Sequence, residues 1–176
     1  MDRLSGVLTR AAFEDAASHA FGETDRPVCV VVADLDRFKG LNDTYGHAAG
    51  DAAIRAFGGV LARGVRAGDL VGRIGGEEFA VVLPNCRLAD AARIAQKLRV
   101  RWATLDLRRE SDAVPDGLRS TASFGVVERM ESETLEQALA RADALLYRAK
   151  RLGRDRVVAD AERPVPSPAV RMRVAT

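Results

Sequence analysis

Acidic side chains stand beside glycines or at the end of an apolar run at two places in this sequence. Asp34 ends a valine-rich run, and Glu77 and Glu78 directly follow Gly75 and Gly76. Carboxylate oxygens suit Mg²⁺ or Mn²⁺, and a pair of such ions can activate a hydroxyl and stabilise the charge that develops on a phosphate. The glycines would permit positive φ and leave room for a bulky anion. The pattern predicts metal-assisted phosphate chemistry, and the alternative is a plain glycine hairpin with a solvated acidic tip.

Other kinds of site find little support in the sequence. The three lysines follow Phe38, Gln96 and Ala149, which excludes the Gly-Lys of a Walker A loop. His19 and His47 lie far apart with no cysteine or serine elbow nearby, so neither a zinc site nor a catalytic triad is indicated. A formal net charge of +2 is too small to indicate a nucleic-acid partner.

The 176 residues suit one domain, and the composition favours a cytoplasmic one. Two cysteines are too few for a disulfide framework, and Cys29 lies in an apolar run where it would pack as a small hydrophobe. No run approaches the roughly 18 apolar residues of a membrane helix, and charged Asp2 and Arg3 argue against a signal peptide. We expect no membrane contact by this chain, although a parent protein could be membrane-anchored.

Hydrophobic spacing predicts alternating helices and strands. The apolar run before Asp34 is typical of a strand buried on both faces, and the strands flanking Gly75 and Gly76 are close enough to form a hairpin. Thr134 and Gln137 predict a capping box. In chain order, we expect a helix capped by Thr9, a strand at 28–33, a short helix or turn at 36–45, a helix after 47, hairpin strands at 70–74 and 79–83, a helix over 91–102, a polar loop at 108–117, a strand at 121–127, a helix at 134–150 and an edge strand at 156–158.

This order predicts an α+β domain, with a palm-like mixed β-sheet of about five strands surrounded by helices, as in nucleotide cyclases and polymerases. If the strand that ends at Asp34 neighbours the hairpin, Asp34 and Glu77 converge. We expect the globular domain over residues 1–158, and prolines and small residues predict a disordered tail over 159–176. Fold alone proves no function.

A longer motif decides between the alternatives. The segment from Asp34 to Asp51 resembles the D-x-D-x-F-K-x-x-N-D-x-x-G-H-x-x-G-D signature of the GGDEF family at every fixed position, and residues 75–79 read Gly-Gly-Glu-Glu-Phe. Residues 2–10 are similar to the family's D-x-L-T-G-L-x-N-R, and residues 147–155 to its Y-x-A-K-x-x-G-R-N, with Asp155 replacing Asn. The resemblance covers roughly residues 2–158.

The resemblance implies a diguanylate cyclase, which joins two GTP molecules into cyclic di-GMP and releases two pyrophosphates. Carried over by position, Asp34, the main-chain carbonyl of Leu35 and Glu77 would hold the metal, with two Mg²⁺ or Mn²⁺ ions per site. Glu77, Glu78 and Lys39 would be the catalytic residues. Because a metal-bound carboxylate has a lowered pKa and is a poor base, we expect Glu77 to position the attacking 3′-hydroxyl.

The same resemblance supplies the substrate contacts. Asn42 and Asp51 match the guanine-reading positions, where adenine would leave polar groups unpaired; the alternative for Asp51 is an acid at a helix N-terminus that the dipole favours. Phe38 belongs with the substrate-binding residues and is expected to pack in the core. The phosphate contacts of the family, each alternatively an ordinary solvated charge, fall on Lys39, Lys150 and Arg154.

Arg66 and Asp69 match the R-x-x-D motif at which the family binds its product for feedback inhibition. The pattern recurs at 87–90 and 109–112, so its position ahead of the hairpin is what counts. Arg66 could bind a guanine edge with two hydrogen bonds. The alternative is a surface ion pair worth under about 1 kcal/mol.

The implied reaction requires two copies of the chain. Each GTP attacks the other's α-phosphate, so two domains must face each other with two-fold symmetry. We expect a transient homodimer, weak basal activity and a sensory or regulatory domain in a parent protein. Two alternatives remain open: a catalytically silent GGDEF-like domain that senses GTP or cyclic di-GMP, and a palm-type enzyme that makes a different cyclic dinucleotide.

Overall fold

The computed structural model describes residues 1–22, 26–109, 111–112 and 114–160. In these residues one six-stranded mixed sheet has helices on both faces. The strands are β1 (Leu8–Thr9), β2 (Val28–Leu35), β3 (Leu70–Arg73), β4 (Glu78–Pro84), β5 (Ala122–Glu128) and β6 (Val157–Ala159). The helices are α1 (Arg10–Gly22), α2 (Phe38–Tyr45), α3 (His47–Gly64), α4 (Leu88–Thr104) and α5 (Leu135–Arg151).

The strand order across the sheet is β1-β3-β4-β2-β5-β6. The central strand β2 is antiparallel to both neighbours, β4 and β5, whereas the pairs β1–β3 and β5–β6 are parallel. The prediction of a mixed α+β sheet is confirmed. The strand that we did not predict is β1, whose two residues pair with Gly72 and Arg73 and are too few to show a period.

The side chains of β2 alternate between two cores, which explains why the strand is apolar throughout. Cys29, Val31 and Ala33 belong to the larger core, under α3 and α4. Val30 and Val32 belong to the second core, under α1 and α5. Because side chains of a strand alternate between faces, Asp34 lies on the α1 and α5 face.

Most helix and strand boundaries agree with the local signals. Ala12 N donates to Thr9 Oγ1 at 3.4 Å, so Thr9 caps α1. The capping box of α5 is confirmed: Gln137 N donates to Thr134 Oγ1 at 3.2 Å, and Thr134 N donates to Gln137 Oε1 at 2.9 Å. The polar segment 36–45 contains a helix, α2, and the segment 108–117 begins within a 3₁₀ turn at Leu107–Arg109.

At the C-terminal end, the edge strand is displaced by one residue from its predicted position and ends at Ala159. The predicted tail therefore begins inside β6, and its residues 161–176 lie outside the described part of the chain. Within that part, no helix is both long enough and apolar enough to cross a membrane.

Candidate active site

Three carboxylates meet at one end of the two central strands. The antiparallel register of β2 and β4 sets Asp34 opposite Glu78, and Leu35 N donates to the main-chain oxygen of Glu77 at 3.3 Å. The prediction that the strand ending at Asp34 neighbours the hairpin is therefore confirmed. Asp34, Glu77 and Glu78 come together although more than 40 residues of chain separate the strand end from the hairpin.

The cation beside these acids comes from the C-terminal end of α5. Lys150 Nζ lies 2.9 Å from Asp34 Oδ1, and the Asp34 side chain is only 5% exposed. We predicted Lys150 as a phosphate contact, and the contact that the structure shows is with the central carboxylate. An ammonium group has three donors, so Lys150 can hold Asp34 and still present a proton to a ligand.

One of the two roles expected of the hairpin glycines, positive φ, is not observed. The expectation that Gly75 and Gly76 adopt positive φ was wrong, because neither is among the described glycines with that conformation. A Cβ added at Gly75 would lie 2.3 Å from Glu78 Oε2, whereas one at Gly76 would meet nothing within 4 Å. The Glu78 carboxylate therefore folds back over Gly75, and a side chain at position 75 would displace it.

Arg73, to which the sequence analysis gave no role, fixes the hairpin turn to the N-terminal segment. Its Nη2 donates to Gly76 O at 2.7 Å and its Nη1 to Asp2 Oδ1 at 3.2 Å. Asp2 also accepts from the hydroxyl of Ser5 at 2.6 Å, and mainly through this hydrogen bond its pKa falls to about 2. The visible signal was an arginine that ends an otherwise apolar strand directly before the turn.

The predicted guanine-reading residues lie side by side where α2 meets α3. Gly46, at φ 82°, separates the two helices. A Cβ at Gly50 would lie 1.9 Å from Asn42 Oδ1 and 3.1 Å from Phe38 Cζ. The amide of Asn42 therefore rests on the main chain of α3 at Gly50, next to Asp51. Gly50 is not among the predicted site residues, although it is a fixed position of the signature.

Asp51 is exposed and lies in the second turn of α3, and the first turn of this helix carries no acidic residue. The alternative of an acid placed for the helix dipole is therefore not supported, since that effect falls off within the first turn.

Phe38 is partly buried and packs against the larger core, as expected. Lys39 and Arg154 are exposed.

Comparison with known sequences agrees with this geometry. The sequence model described as "Diguanylate cyclase, GGDEF domain" matches residues 1–156. The chain belongs to the GGDEF family. It is 42% identical over 159 residues to diguanylate cyclase VdcA of Vibrio cholerae serotype O1, covering 89% of this chain and 46% of VdcA. It is 42% identical over 139 residues to the response regulator PleD of Caulobacter vibrioides, covering 77% of this chain and 30% of PleD. The chain spans less than half the length of these relatives.

Solved structures of GGDEF domains share the fold. The GGDEF domain of DgcB from Caulobacter crescentus, in complex with c-di-GMP, superposes with a TM-score of 0.85 at 37% identity, covering 90% of this chain and 92% of that one. Diguanylate cyclase SiaD from Pseudomonas aeruginosa, in complex with its activator SiaC, gives a TM-score of 0.81 at 35% identity, covering 90% of this chain and 61% of SiaD. The GGDEF domain is thus a palm-like α+β fold with an open sheet.

Negative charge exceeds positive charge around Asp34 in this GGDEF domain. Burial raises the pKa of Asp34 to about 6, Lys150 opposes the shift, and Glu77 and Glu78 add to it. Burial also raises the pKa of Glu77, again against the effect of Lys150. One ammonium therefore does not compensate three neighbouring carboxylates, and a further cation would be favoured here.

The donor atoms fit a divalent metal, on which GGDEF diguanylate cyclases generally depend. The acids offer only oxygen, the donor type that hard cations prefer. In the part of the chain that the structure describes, no three histidine, cysteine, aspartate or glutamate side chains are already grouped as a metal centre.

The second predicted site lies at the other end of β4. Asp69, whose side chain is 2% exposed, accepts from Arg66 Nε at 3.1 Å and from Arg66 N at 3.0 Å across a turn at Gly68. The six-residue rise from Glu78 to Pro84 separates this pair from the acids by about 20 Å. The pair borders a pocket of about 490 Å³, whose other charged lining residues are Asp90, Arg93 and Lys97.

Asp36 is the buried polar residue of the site region that the sequence analysis left without a role. It is 7% exposed and accepts hydrogen bonds from Thr121 Oγ1 at 2.8 Å, Ser123 Oγ at 2.7 Å and the main-chain nitrogen of Asp155 at 3.0 Å. These three donors join the end of β2 to the start of β5 and to the loop after α5. The available signal was its fixed position in the D-x-D motif.

Proposed function

We propose that this domain condenses two GTP molecules into cyclic di-GMP and releases two pyrophosphates. The observation that carries the proposal is the convergence of Asp34 with Glu77 and Glu78 beside Lys150. The named diguanylate cyclase VdcA, at 42% identity over most of the chain, supports the same activity. We place the catalytic unit in residues 1–158 and expect it to work in the cytoplasm.

The proposed metal ligands are Asp34, the main-chain carbonyl of Leu35 and Glu77, with Glu78 assisting a second ion. A divalent cation there, Mg²⁺ or Mn²⁺, would neutralise triphosphate charge and lower the pKa of the attacking hydroxyl. Glu77 orients the 3′-hydroxyl toward the partner's α-phosphate. The proposed phosphate contacts are Lys39, Lys150 and Arg154. Of these, Lys39 is also proposed as a catalytic residue, together with Glu77 and Glu78.

Base selection follows from the contact between α2 and α3. Asp51 is exposed and accepts from the N–H groups of guanine, while the Asn42 amide both donates and accepts. The Asn42 amide oxygen lies against the main chain of Gly50, where any larger residue would displace it. Adenine presents a different pattern and would leave Asp51 without a donor, which costs about 1–3 kcal/mol for a desolvated group.

Bond formation needs a second copy of the chain. Each 3′-oxygen forms a bond to the partner's α-phosphorus while the bond from that phosphorus to the pyrophosphate oxygen breaks, and the hydroxyl proton leaves to solvent. Two domains must therefore meet across a two-fold axis, so the isolated chain is expected to be slow because every encounter loses translational freedom. The response regulator PleD and the SiaD complex with its activator support control by a further domain or partner.

Product feedback is the second part of the proposal. Arg66 is 59% exposed beside nearly buried Asp69, and its guanidinium donates to Asp69 and to Pro84 O. To bind a guanine edge with two hydrogen bonds, the guanidinium must exchange the contact with Pro84 O for one with the base. The DgcB structure with bound c-di-GMP supports product binding by such a domain. We infer that cyclic di-GMP binds at Arg66 and Asp69 and slows the enzyme.

The competing hypothesis is a silent GGDEF-like domain that binds nucleotide without turning it over. Incubation with GTP and Mg²⁺, followed by chromatography, distinguishes the two: cyclic di-GMP is expected from the wild-type chain and not from Glu77→Gln. A parallel reaction with ATP tests the guanine contacts and should give little product. Binding of GTP with no product at any protein concentration would instead establish the sensor.

A further inference from the structure

The loop after α5 has an unusual main-chain conformation. Gly153, Arg154 and Asp155 have φ of 117°, 64° and 45°, so three successive residues are left-handed. Glycine adopts this region readily, but arginine and aspartate do so at a cost of about 1 kcal/mol or more each. Such a run persists only where the surroundings hold it, and here Arg154 is a proposed phosphate contact. Gly153 N and Arg154 N donate to Lys150 O at 3.4 Å and Ala149 O at 3.1 Å, which ties the loop to the end of α5.

Asp155 ties the loop in addition to the sheet and to α4. Its main-chain nitrogen donates to Asp36 Oδ2 at 3.0 Å. From the opposite side, Arg99 Nη1 of α4 donates to the Asp155 carboxylate at 2.6 Å and to its main-chain oxygen at 3.3 Å. Both main-chain polar groups and the side chain of one left-handed residue are therefore engaged.

The two groups that hold Asp155 are themselves fixed. Asp36 follows the last residue of β2 and accepts from the hydroxyls of Thr121 and Ser123 at the start of β5. Arg99 belongs to α4 and is 17% exposed. The Asp155 side chain is 41% exposed, so only the guanidinium side of this ion pair is shielded from water. The pair is therefore screened less than one between two fully exposed side chains.

The carboxylate at position 155 distinguishes this chain from the family pattern, which has Asn there. An amide could accept one hydrogen bond from Arg99, but it would carry no charge. We propose that Arg99 is a positioning residue, which acts through Asp155 against Asp36 to hold Arg154 where it meets the substrate's phosphates. The inference rests on the proposed function, because it takes Arg154 as a phosphate contact.

The test compares ligands with and without phosphates. Arg99→Met keeps the aliphatic stem and removes the donors, and Asp155→Ala removes the carboxylate. Each is expected to raise the dissociation constant of a non-hydrolysable GTP analogue about tenfold, or about 1.4 kcal/mol, the order of one residue's main-chain ordering. Guanosine, which lacks phosphates, should bind all variants alike. Arg101→Met, an exposed position on the same helix, is the matched control and should leave both affinities unchanged.

Two further arms separate positioning from general damage. The double variant Arg99→Met with Asp155→Ala should bind the analogue no more weakly than either single variant, because both remove one contact. Asp155→Asn should fall between the wild type and Asp155→Ala. Wild-type affinity in Arg99→Met, or an equal loss of guanosine and analogue affinity, overturns the inference.

The product assay on the wild type distinguishes failure of the positioning role from failure of the cyclase proposal. If the wild type makes cyclic di-GMP and Arg99→Met binds the analogue normally, the positioning role fails and the cyclase proposal stands. If the wild type makes no product while Arg99→Met loses affinity for the analogue alone, the positioning role stands and the cyclase proposal fails.

Discussion

Replacing Asp34 with asparagine measures how strongly the fold desolvates the central carboxylate. Burial is the main cause that raises its pKa from 3.8 to about 6, against the opposing effect of Lys150. A shift of about 2 units corresponds to about 3 kcal/mol of unfavourable free energy for the charged form. Because the folded pKa lies above the unfolded one, the folded state does not bear this penalty below about pH 4, and stability is lost as the pH rises through about 6 and the penalty becomes complete.

Asparagine resembles the protonated acid in shape and cannot ionise. With a chelator present to remove divalent cations, Asp34→Asn and the wild type should have similar free energies of unfolding near pH 4. Near pH 7.5 the variant should be more stable by up to about 3 kcal/mol. For a domain of this size, that corresponds to about 6–12 °C in melting temperature. The pKa of Glu77 is raised in the same direction, but Glu77 is present in both proteins and largely cancels in the difference.

Urea unfolding at the two pH values, followed by far-ultraviolet circular dichroism, gives the comparison directly. The reasoning is refuted if the stability difference between Asp34→Asn and the wild type is the same at both. Adding Mg²⁺ near neutral pH then tests the ligand role. A ligand that binds only the folded state at about 100 times its dissociation constant adds about 2.7 kcal/mol. The wild type should gain this stability, and an equal gain in Asp34→Asn would remove Asp34 from the metal site.

Four other substitutions test separate parts of the molecule. Glu77→Gln should abolish cyclic di-GMP formation without lowering the melting temperature, and retained turnover would dismiss the metal role. Arg66→Ala should raise the cyclic di-GMP concentration for half-inhibition by about tenfold or more, the loss of a good bidentate contact, with an unchanged initial rate; an unaltered inhibition curve would contradict the product site. Asn42→Ala should reduce the preference for GTP over ATP in competition assays by about tenfold, and an intact preference would count against Asn42 as a guanine-reading residue. Phe57→Ala should destabilise the fold by about 3–5 kcal/mol in urea titrations, because Phe57 is fully buried against three aromatic rings.

The elements that could be predicted are those whose signals are local. The buried strand β2, the hairpin and the capped helix α5 each carry their pattern within one continuous segment. By contrast, β1 is only two residues long and exists because β3 supplies its partner. The helix α2 has few apolar residues of its own, so its type is set by packing against α3 rather than by its sequence.

The same distinction holds inside the site. The meeting of Asp34 with the hairpin could be predicted because it depends only on which strands are neighbours. The contact of Lys150 with Asp34 depends on where α5 ends above the sheet, and no local pattern reports that. The prediction of positive φ in the glycine turn was wrong for a related reason: what the sequence does not report is that the Glu78 side chain folds back over Gly75.

The antiparallel arrangement of the sheet explains why one small region can collect so many functional groups. In a parallel sheet only strand ends of one kind meet at an edge. Here the end of β2 lies beside the beginnings of both β4 and β5. The hairpin acids therefore arrive from one side of Asp34, while the hydroxyls that hold Asp36 arrive from the other. The helix α5 returns across the same face and delivers Lys150 and the Arg154 loop to this point. Ser123→Ala, a change at the start of β5, should therefore weaken binding of the triphosphate, although Ser123 lies on neither predicted motif. Measuring the affinity of this variant for the GTP analogue would show whether β5 helps to hold the site.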